Sequence, residues 1–343
     1  MKKRFLLFPL MLLLAVVFSV TSCNNYNESQ MVDPNLNEGN IDQSTVDVIS
    51  GQYIVVFKQT STKSMKFTAE NDYAKRQEIM HQEITEFLSK KNISEENLKN
   101  IYSNSIHGFC VNLSDNELAN LKKDKTIAYI EEDRIIMLKK PVPDEGDDPP
   151  SGQTVPYGIT RVNGGVSGSG LTAWIIDSGI DLDHPDLNVD VARSVTFVER
   201  TKDADDQNGH GTHVAGTIAA IDNDFGVIGV AAGATVVAVR VLDRRGSGTY
   251  SGVIAGIDYV GNNGNNGDVA NMSLGGGASD AIDDAVINAS NASGVKFVLA
   301  AGNESDNANN HSPARANGPN IYTISAMDIN DNWAYFSNYG NPP

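Results

Sequence analysis

Three short segments of this 343-residue chain carry a side chain that can move a proton or hold a developing negative charge. Trp174-Ile175-Ile176-Asp177-Ser178-Gly179-Ile180 stops at a carboxylate and turns away at a glycine. Asn208-Gly209-His210-Gly211-Thr212-His213-Val214-Ala215-Gly216-Thr217 carries an imidazole where a helix of small residues begins. Val298-Leu299-Ala300-Ala301-Gly302-Asn303-Glu304 ends on a side-chain amide. A carboxylate that accepts the Nδ1 proton of a histidine fixes its tautomer and stabilises the imidazolium formed during acyl transfer. An amide aimed at the reacting carbonyl stabilises the oxyanion. Taken singly, Asp177 reads better as a turn aspartate capping the next segment, and the alternative for Asn303 is a turn asparagine. His210 and His213 share a helix face at i, i+3, but no glutamate follows His210 and no third ligand is evident, which weighs against zinc. His213 is therefore expected to be a buried structural residue.

Such residues act only when rigid elements aim them. From Val155 onward, apolar runs alternate with helical segments: Leu171 to Asp177, Gly211 to Ile221, Thr235 to Leu242, Tyr250 to Asn262, Val269 to Leu274, Asp280 to Ser290 and Val295 to Ala300. Buried strands alternating with helices imply an α/β domain, a parallel sheet covered on both faces.

The three segments resemble the signatures of subtilisin-like serine proteases, closest to the proteinase K branch, and the resemblance spans Val155 to Gly340. It implies that Asp177 orients His210, that His210 is the general base and that Asn303 donates to the oxyanion. His184, in Asp183-His184-Pro185-Asp186-Leu187, matches a common loop of the family. Arg245-Gly246-Ser247-Gly248-Thr249 and Asn271-Met272-Ser273-Leu274-Gly275-Gly276 look like its substrate strands, which pair with an extended peptide. Gly246, Ser247, Gly248, Ser273, Leu274 and Gly275 are thus expected to bind substrate, with Ala300 and Gly302 on the far wall of the primary pocket. The resemblance implies no catalytic cofactor. Pro319 and Ile321 align with backbone ligands of a structural calcium site, whose aspartate would lie downstream of Pro343. The family's serine stands in a Gly-Thr-Ser-Met-Ala segment shortly after a motif like Phe336-Ser337-Asn338-Tyr339-Gly340, and no such segment occurs in these residues. The expectation is a serine endopeptidase sequence that stops before its nucleophile and the helix after it, leaving the sheet incomplete. The rival is a surface-anchored pseudoenzyme that binds or inhibits peptides without cutting them.

Ahead of this domain, residues 1–22 have the layout of a secretory signal: Lys2, Lys3 and Arg4, then an apolar run from Phe5 to Val20. The run contains Pro9 and is shorter than the ~20 residues a spanning helix needs. Val20-Thr21-Ser22-Cys23 resembles a bacterial lipobox, which implies lipidation at Cys23 and anchoring at the cell envelope. Polar, Asn-rich residues 23–50 read as a tether. Residues 51–140 show a β-α-β, β-α-β pattern: a strand at Tyr53 to Phe57, a helix over Ala69 to Lys91, a strand at Gly108 to Leu113, a capping box from Ser114 to Glu117, and a last strand through Tyr129-Ile130-Glu131-Glu132-Asp133. That run and the opening strand resemble the inhibitory prodomain of subtilisin-like proteases, a small α+β ferredoxin-like module. Residues 141–153, proline-rich and acidic, read as an exposed linker holding the maturation cut. The peptidase domain is expected over 154–343.

The net charge of −17 is uneven. Gly51 to Lys140 holds 14 Lys/Arg against 13 Asp/Glu, whereas Thr154 to Pro343 holds 9 against 21. An acidic domain without a basic stripe repels phosphate backbones, which excludes nucleic acid as a partner. The partners that the resemblances imply are polypeptide substrates, the chain's own prodomain as an intramolecular inhibitor and, through the lipobox, a membrane. The only cysteines are Cys23 and Cys110, so the large domain is held by its apolar core without disulfides.

Overall fold

A computed structural model of the chain describes residues 48–58, 72–138 and 152–340. The signal sequence, Cys23, most of the tether and nearly all of the linker lie outside the described residues.

The first module is built from β1 (Val48–Phe57), α1 (Tyr73–Lys90), β2 (Leu98–Tyr102), β3 (Gly108–Asn112), α2 (Asp115–Leu121) and β4 (Ile127–Met137). Its strands lie in the order β4-β1-β3-β2, with every pairing antiparallel. Val48 already faces Arg134 across the β1–β4 pair, so the strand begins inside the segment expected to be tether. Alternation along the strands sorts side chains between two cores, since successive residues point to opposite faces. Val55, Phe57, Phe109 and Val111 meet Met80, Ile84 and Leu88 of α1, whose i, i+4, i+8 spacing puts them on one stripe. Ile54, Val56 and Cys110 face the other way, into the core of the large domain. Asp72 caps α1 by accepting from Lys75 N, and α2 opens on the expected Ser114–Glu117 capping box.

The large domain begins with α3 (Tyr157–Arg161), β5 (Val166–Ser167), β6 (Thr172–Asp177), β7 (Asn188–Val189), β8 (Val195–Thr196) and α4 (His210–Ala219). It continues with β9 (Ala231–Ala232), β10 (Thr235–Arg240), β11 (Ser247–Thr249), α5 (Tyr250–Asn263), β12 (Val269–Met272), β13 (Gly276–Gly277), α6 (Asp280–Ser293), β14 (Lys296–Ala300), β15 (His311–Ser312) and β16 (Ile321–Ile324). The sheet is parallel throughout, in the order β16-β14-β12-β6-β10-β7, with β8 on the far half of β10. β5 with β9 and β13 with β15 make two small ribbons.

Period-two alternation divides this sheet as well. Trp174, Ile176, Val237 and Val239 pack under α5 and α6, while Ala173, Ile175, Val236 and Ala238 pack against Ala215 and Ala219 of α4. The α/β domain with helices on both faces is thus as expected. α5 is buried nearly all round, because one side lies on the parallel sheet and the other under the first module. Among the described residues no helix is long and apolar enough to cross a membrane.

His213 departs from expectation. The buried stripe of α4 is Gly211, Ala215 and Ala219, and a residue two positions after Gly211 points away from it, so His213 is exposed.

Candidate active site

β6 carries Asp177 at its carboxyl end, the position where open parallel sheets collect ligands. The carboxylate is fully buried. His210 is the first residue of α4, and its Nδ1 lies 2.8 Å from Asp177 Oδ1 and 2.9 Å from Oδ2. The helix reaches the strand this closely because residue 211 has no side chain: a Cβ there would stand 2.1 Å from Gly179 O. Asp177 bonds also to Ser178 N at 2.7 Å, so the carboxylate is aimed from its own turn. The Asp177 hydrogen bond raises the imidazole's pKa above its ordinary value; partial burial opposes this, and the charges of Asp177 and Asp206 add to the rise. With Nδ1 committed to Asp177, Nε2 of the neutral ring is a base.

Asn303 follows β14 by three residues. Its loop is braced by Asn338, fully buried, whose Nδ2 donates to Ala301 O at 2.9 Å and whose Oδ1 accepts from Glu304 N and Asp306 N at 2.9 and 3.0 Å. Asn303 N donates to Glu304 Oε2 at 2.9 Å. Ser273, Leu274, Gly275, Ala300, Gly302 and Asn303 line one cavity of about 70 Å³, which brings both expected walls together.

The remaining expected residues are already engaged. Ser247, Gly248 and Thr249 of β11 pair antiparallel with Met137, Ile136 and Ile135 of β4, and Leu138 N donates to Gly246 O at 2.9 Å. Met137 and Leu138 also line the cavity shared by Ser273 and Asn303. The first module's last strand therefore lies along β11 as an extended peptide, held by main-chain bonds.

Upstream, β4 alternates again. Tyr129 Oη donates to Asp284 Oδ2 at 2.7 Å; Glu131 accepts from Ser279 Oγ at 2.7 Å and Ala281 N at 3.1 Å; Asp133 accepts from Ser251 N at 3.0 Å. Glu131 and Asp133 thus complete the first turns of α6 and α5, where unpaired N–H groups and the helix dipole favour a carboxylate. Asp258, on α5, reciprocates. Fully buried, it accepts from Asn104 N, Ser105 N and Ser103 N at 2.7, 2.6 and 3.1 Å. Nothing local marks Asp258 for this role, and Asn338, though it stands in the Phe336 to Gly340 motif, has no bracing role assigned by that pattern.

Pro319 and Ile321 lie at the entry to β16, where Asn320 O accepts Phe297 N. Calcium takes about six to eight oxygens. Two backbone carbonyls fall short of that, and among the described residues no group of three or more His, Cys, Asp or Glu could hold a metal. The described donors do not make a calcium site by themselves.

Comparison with known proteins decides the family. The profile of the subtilase family matches residues 168–343, and that of the peptidase inhibitor I9 family matches 52–139. The chain belongs to the subtilase family. Alkaline serine exoprotease A of Vibrio alginolyticus is 37% identical over 305 residues, covering 85% of this chain and 53% of that protein. The extracellular serine proteinase of Thermus sp. (strain Rt41A) is 38% identical over 302 residues, covering 86% and 70%. Subtilisin E of Bacillus subtilis (strain 168) is 38% identical over 245 residues, covering 69% and 60%. The chain spans about half the length of the first of these subtilases. The I9 match coincides with the module whose β4 fills the groove, so the subtilase domain and its inhibitory prodomain occur here in contact.

Proposed function

We propose that this subtilase is the precursor of an exported serine-type endopeptidase that hydrolyses peptide bonds through an Asp-His-Ser triad and is blocked by its own prodomain until processed. The observation that carries the reading is the two-oxygen grip of Asp177 on His210 Nδ1 beside a groove occupied by an antiparallel peptide strand. In this reading His210 Nε2 takes the serine proton as Oγ attacks the carbonyl and returns it to the leaving amine. Asp177 stays ionised throughout and stabilises the imidazolium. Asn303 donates to the oxyanion. The residues of β11 that hold Ile135, Ile136 and Met137 hold substrate in the same register, and Ser273 to Gly275 with Ala300 and Gly302 receive the side chain next to the cut. No cofactor enters the chemistry.

Export is supported by the Lys2-Lys3-Arg4 leader and by the extracellular relative; anchoring through a lipid on Cys23 rests on the lipobox-like Val20 to Cys23. Processing falls in the linker between Lys140 and Val155. A second reading is an anchored lipoprotein that binds or inhibits peptides without cutting, holding them along β11 as that strand holds β4.

A casein assay separates the two. The purified 343-residue chain is compared with a chain carrying a Gly-Thr-Ser-Met-Ala segment downstream of Gly340, each with and without His210→Ala. Turnover by the serine-bearing chain alone, lost in His210→Ala, is expected. No turnover by either chain would favour the peptide-binding reading, and turnover by the 343 residues alone would require a nucleophile other than the one proposed.

A further inference from the structure

We infer that Asp206 is a positioning residue for His210, locking the start of α4 to the end of β6 so that imidazole and Asp177 meet in one geometry. The inference rests on the reading of His210 as the general base and adds a group that touches neither substrate nor reacting atoms.

The geometry exceeds what a helix cap requires. Residue 209 is a glycine with φ of 98° and has no side chain to cap α4. Asp206 supplies the missing acceptor from three residues earlier. Its Oδ1 accepts from Asn208 N at 2.9 Å and Gly209 N at 3.0 Å; its Oδ2 accepts from Thr212 N at 3.0 Å and Thr212 Oγ1 at 2.7 Å. One carboxylate thus holds residues on both sides of His210. An ordinary cap stops there, whereas Asp206 Oδ1 also accepts from Ser178 Oγ at 3.0 Å.

Ser178 is the neighbour of Asp177. Its N–H donates to Asp177 Oδ1, and its hydroxyl oxygen accepts from Gly211 N at 2.9 Å. The bonds Ser178–Asp206, Asp206–Thr212 and Gly211–Ser178, joined through the Gly211–Thr212 peptide bond, make a ring beside the Asp177–His210 contact, and Ser178 N ties it to Asp177. Rotation of His210 away from Asp177 by a shift of the helix start would break several of these bonds at once.

The loop that presents Asp206 is itself fixed from the sheet. Arg240, fully buried at the end of β10 and paired in register with Asp177, donates from Nη1 to Asp205 O at 2.6 Å and from Nη2 to Gln207 Oε1 at 3.2 Å. Both neighbours of Asp206 are held. Burial raises the Asp206 pKa, but the bonds from Thr212, Gly209 and Asn208 outweigh it and keep the group below its ordinary value, ionised where a histidine titrates. The carboxylates acting on His210 are Asp177 from β6 and Asp206 from this loop. Asp181, Asp183, His184, Asp205 and His213 line the groove alongside α4.

The test is a histidine NMR titration of the 343-residue chain, with His210 assigned through His210→Ala. It needs no turnover, so it stands or falls apart from the peptidase reading: failed hydrolysis would leave the titration intact, and a failed titration would leave hydrolysis intact. In Asp206→Asn the His210 midpoint is expected to move down the pH scale while that of His107, in the first module, stays where it is. In Ser178→Ala, which keeps both charges and cuts the ring, the low-field Nδ1 proton of His210 is expected to broaden or vanish. A His210 midpoint unchanged in a folded Asp206→Asn protein overturns the inference, because a cap with only a structural role would give that result. Should Asp206→Asn fail to fold, Ser178→Ala decides: an unaltered Nδ1 proton overturns the inference and its loss supports it.

Discussion

Replacing Asp258 by alanine should loosen the prodomain far from the groove it blocks. The carboxylate is fully buried on α5 and takes the backbone N–H groups of Ser103, Asn104 and Ser105, the turn after β2. Ser105 Oγ adds a bond at 2.9 Å. Without the carboxylate, three buried N–H groups lose their acceptor, each costing about 1–3 kcal/mol when left unpaired. Against that, the variant no longer buries a charge; burial is the leading cause of the raised Asp258 pKa, pulling against those same hydrogen bonds. Subtracting a few kcal/mol for the relieved desolvation leaves about 3 kcal/mol, near the low end for breaking a buried charged contact. At about 1.4 kcal/mol per decade this is roughly a 10²-fold loss in docking equilibrium. The assay is native-state hydrogen exchange on the 343-residue chain. The amides of Ser103, Asn104 and Ser105 should exchange about 10²-fold faster in Asp258→Ala, since their protection reports local opening. Exchange at the wild-type rate in these three amides would refute the reasoning, because it would mean that the prodomain turn is held by packing and not by the carboxylate.

Asp177→Asn in a serine-bearing chain should lower kcat by about 10⁴, a magnitude carried over from serine-protease triads, with KM little changed in a peptide assay. Activity of that chain should rise with pH through a midpoint above the ordinary histidine value of 6.5, because the Asp177 bond favours the imidazolium and the base must be neutral. By linkage, the stability from that pair is fully present below the unfolded pKa and lost as pH rises through the folded one, which urea midpoints across this window would show. Gly302→Ala should cost about 2–4 kcal/mol in urea unfolding, since residue 302 has φ of 107° and a Cβ would stand 2.3 Å from Asn338 Nδ2. Cys23→Ser should abolish membrane partitioning and maturation at that site in a bacterium with lipoprotein machinery; fractionation like wild type would remove the lipid anchor.

What was legible in the sequence depends on how far apart the cooperating residues stand. The capping box of α2 needs only Ser114 and Glu117, and it forms. Asp177 and His210 are 33 residues apart, and the setting of Asp177 alone assigns it no role; the resemblance of both segments to subtilisin-like signatures pairs them, and the fold brings them into contact. The phase of α4 was misjudged at His213 although Gly211, Ala215 and Ala219 spell out the buried stripe. β2 went unnoticed because Leu98-Lys99-Asn100-Ile101-Tyr102 carries two polar residues in its middle and owes its pairing to β3. Asp206 stood in an acidic stretch with Asp203 and Asp205 that reads as solvated loop, and only the fold brings it under Ser178.

The interface residues were hidden for a deeper reason. Asp258 meets Ser103, Asn104 and Ser105 from 153 to 155 positions away, and Glu131 meets Ser279 and Ala281 from 148 and 150. The two carboxylates run in opposite directions across the contact: the prodomain caps a subtilase helix with Glu131, and a subtilase helix caps a prodomain turn with Asp258. Each module leaves backbone N–H groups that the other satisfies, so either one alone would expose donors that only water could meet. Period-two alternation in β4 predicts that Tyr129, Glu131 and Asp133 share a face, but not that the face meets the first turns of two helices. Burial of charge becomes intelligible only when the partner helix ends are in view, and that is why the run Tyr129 to Asp133 was recognisable as a pattern before its chemistry could be assigned.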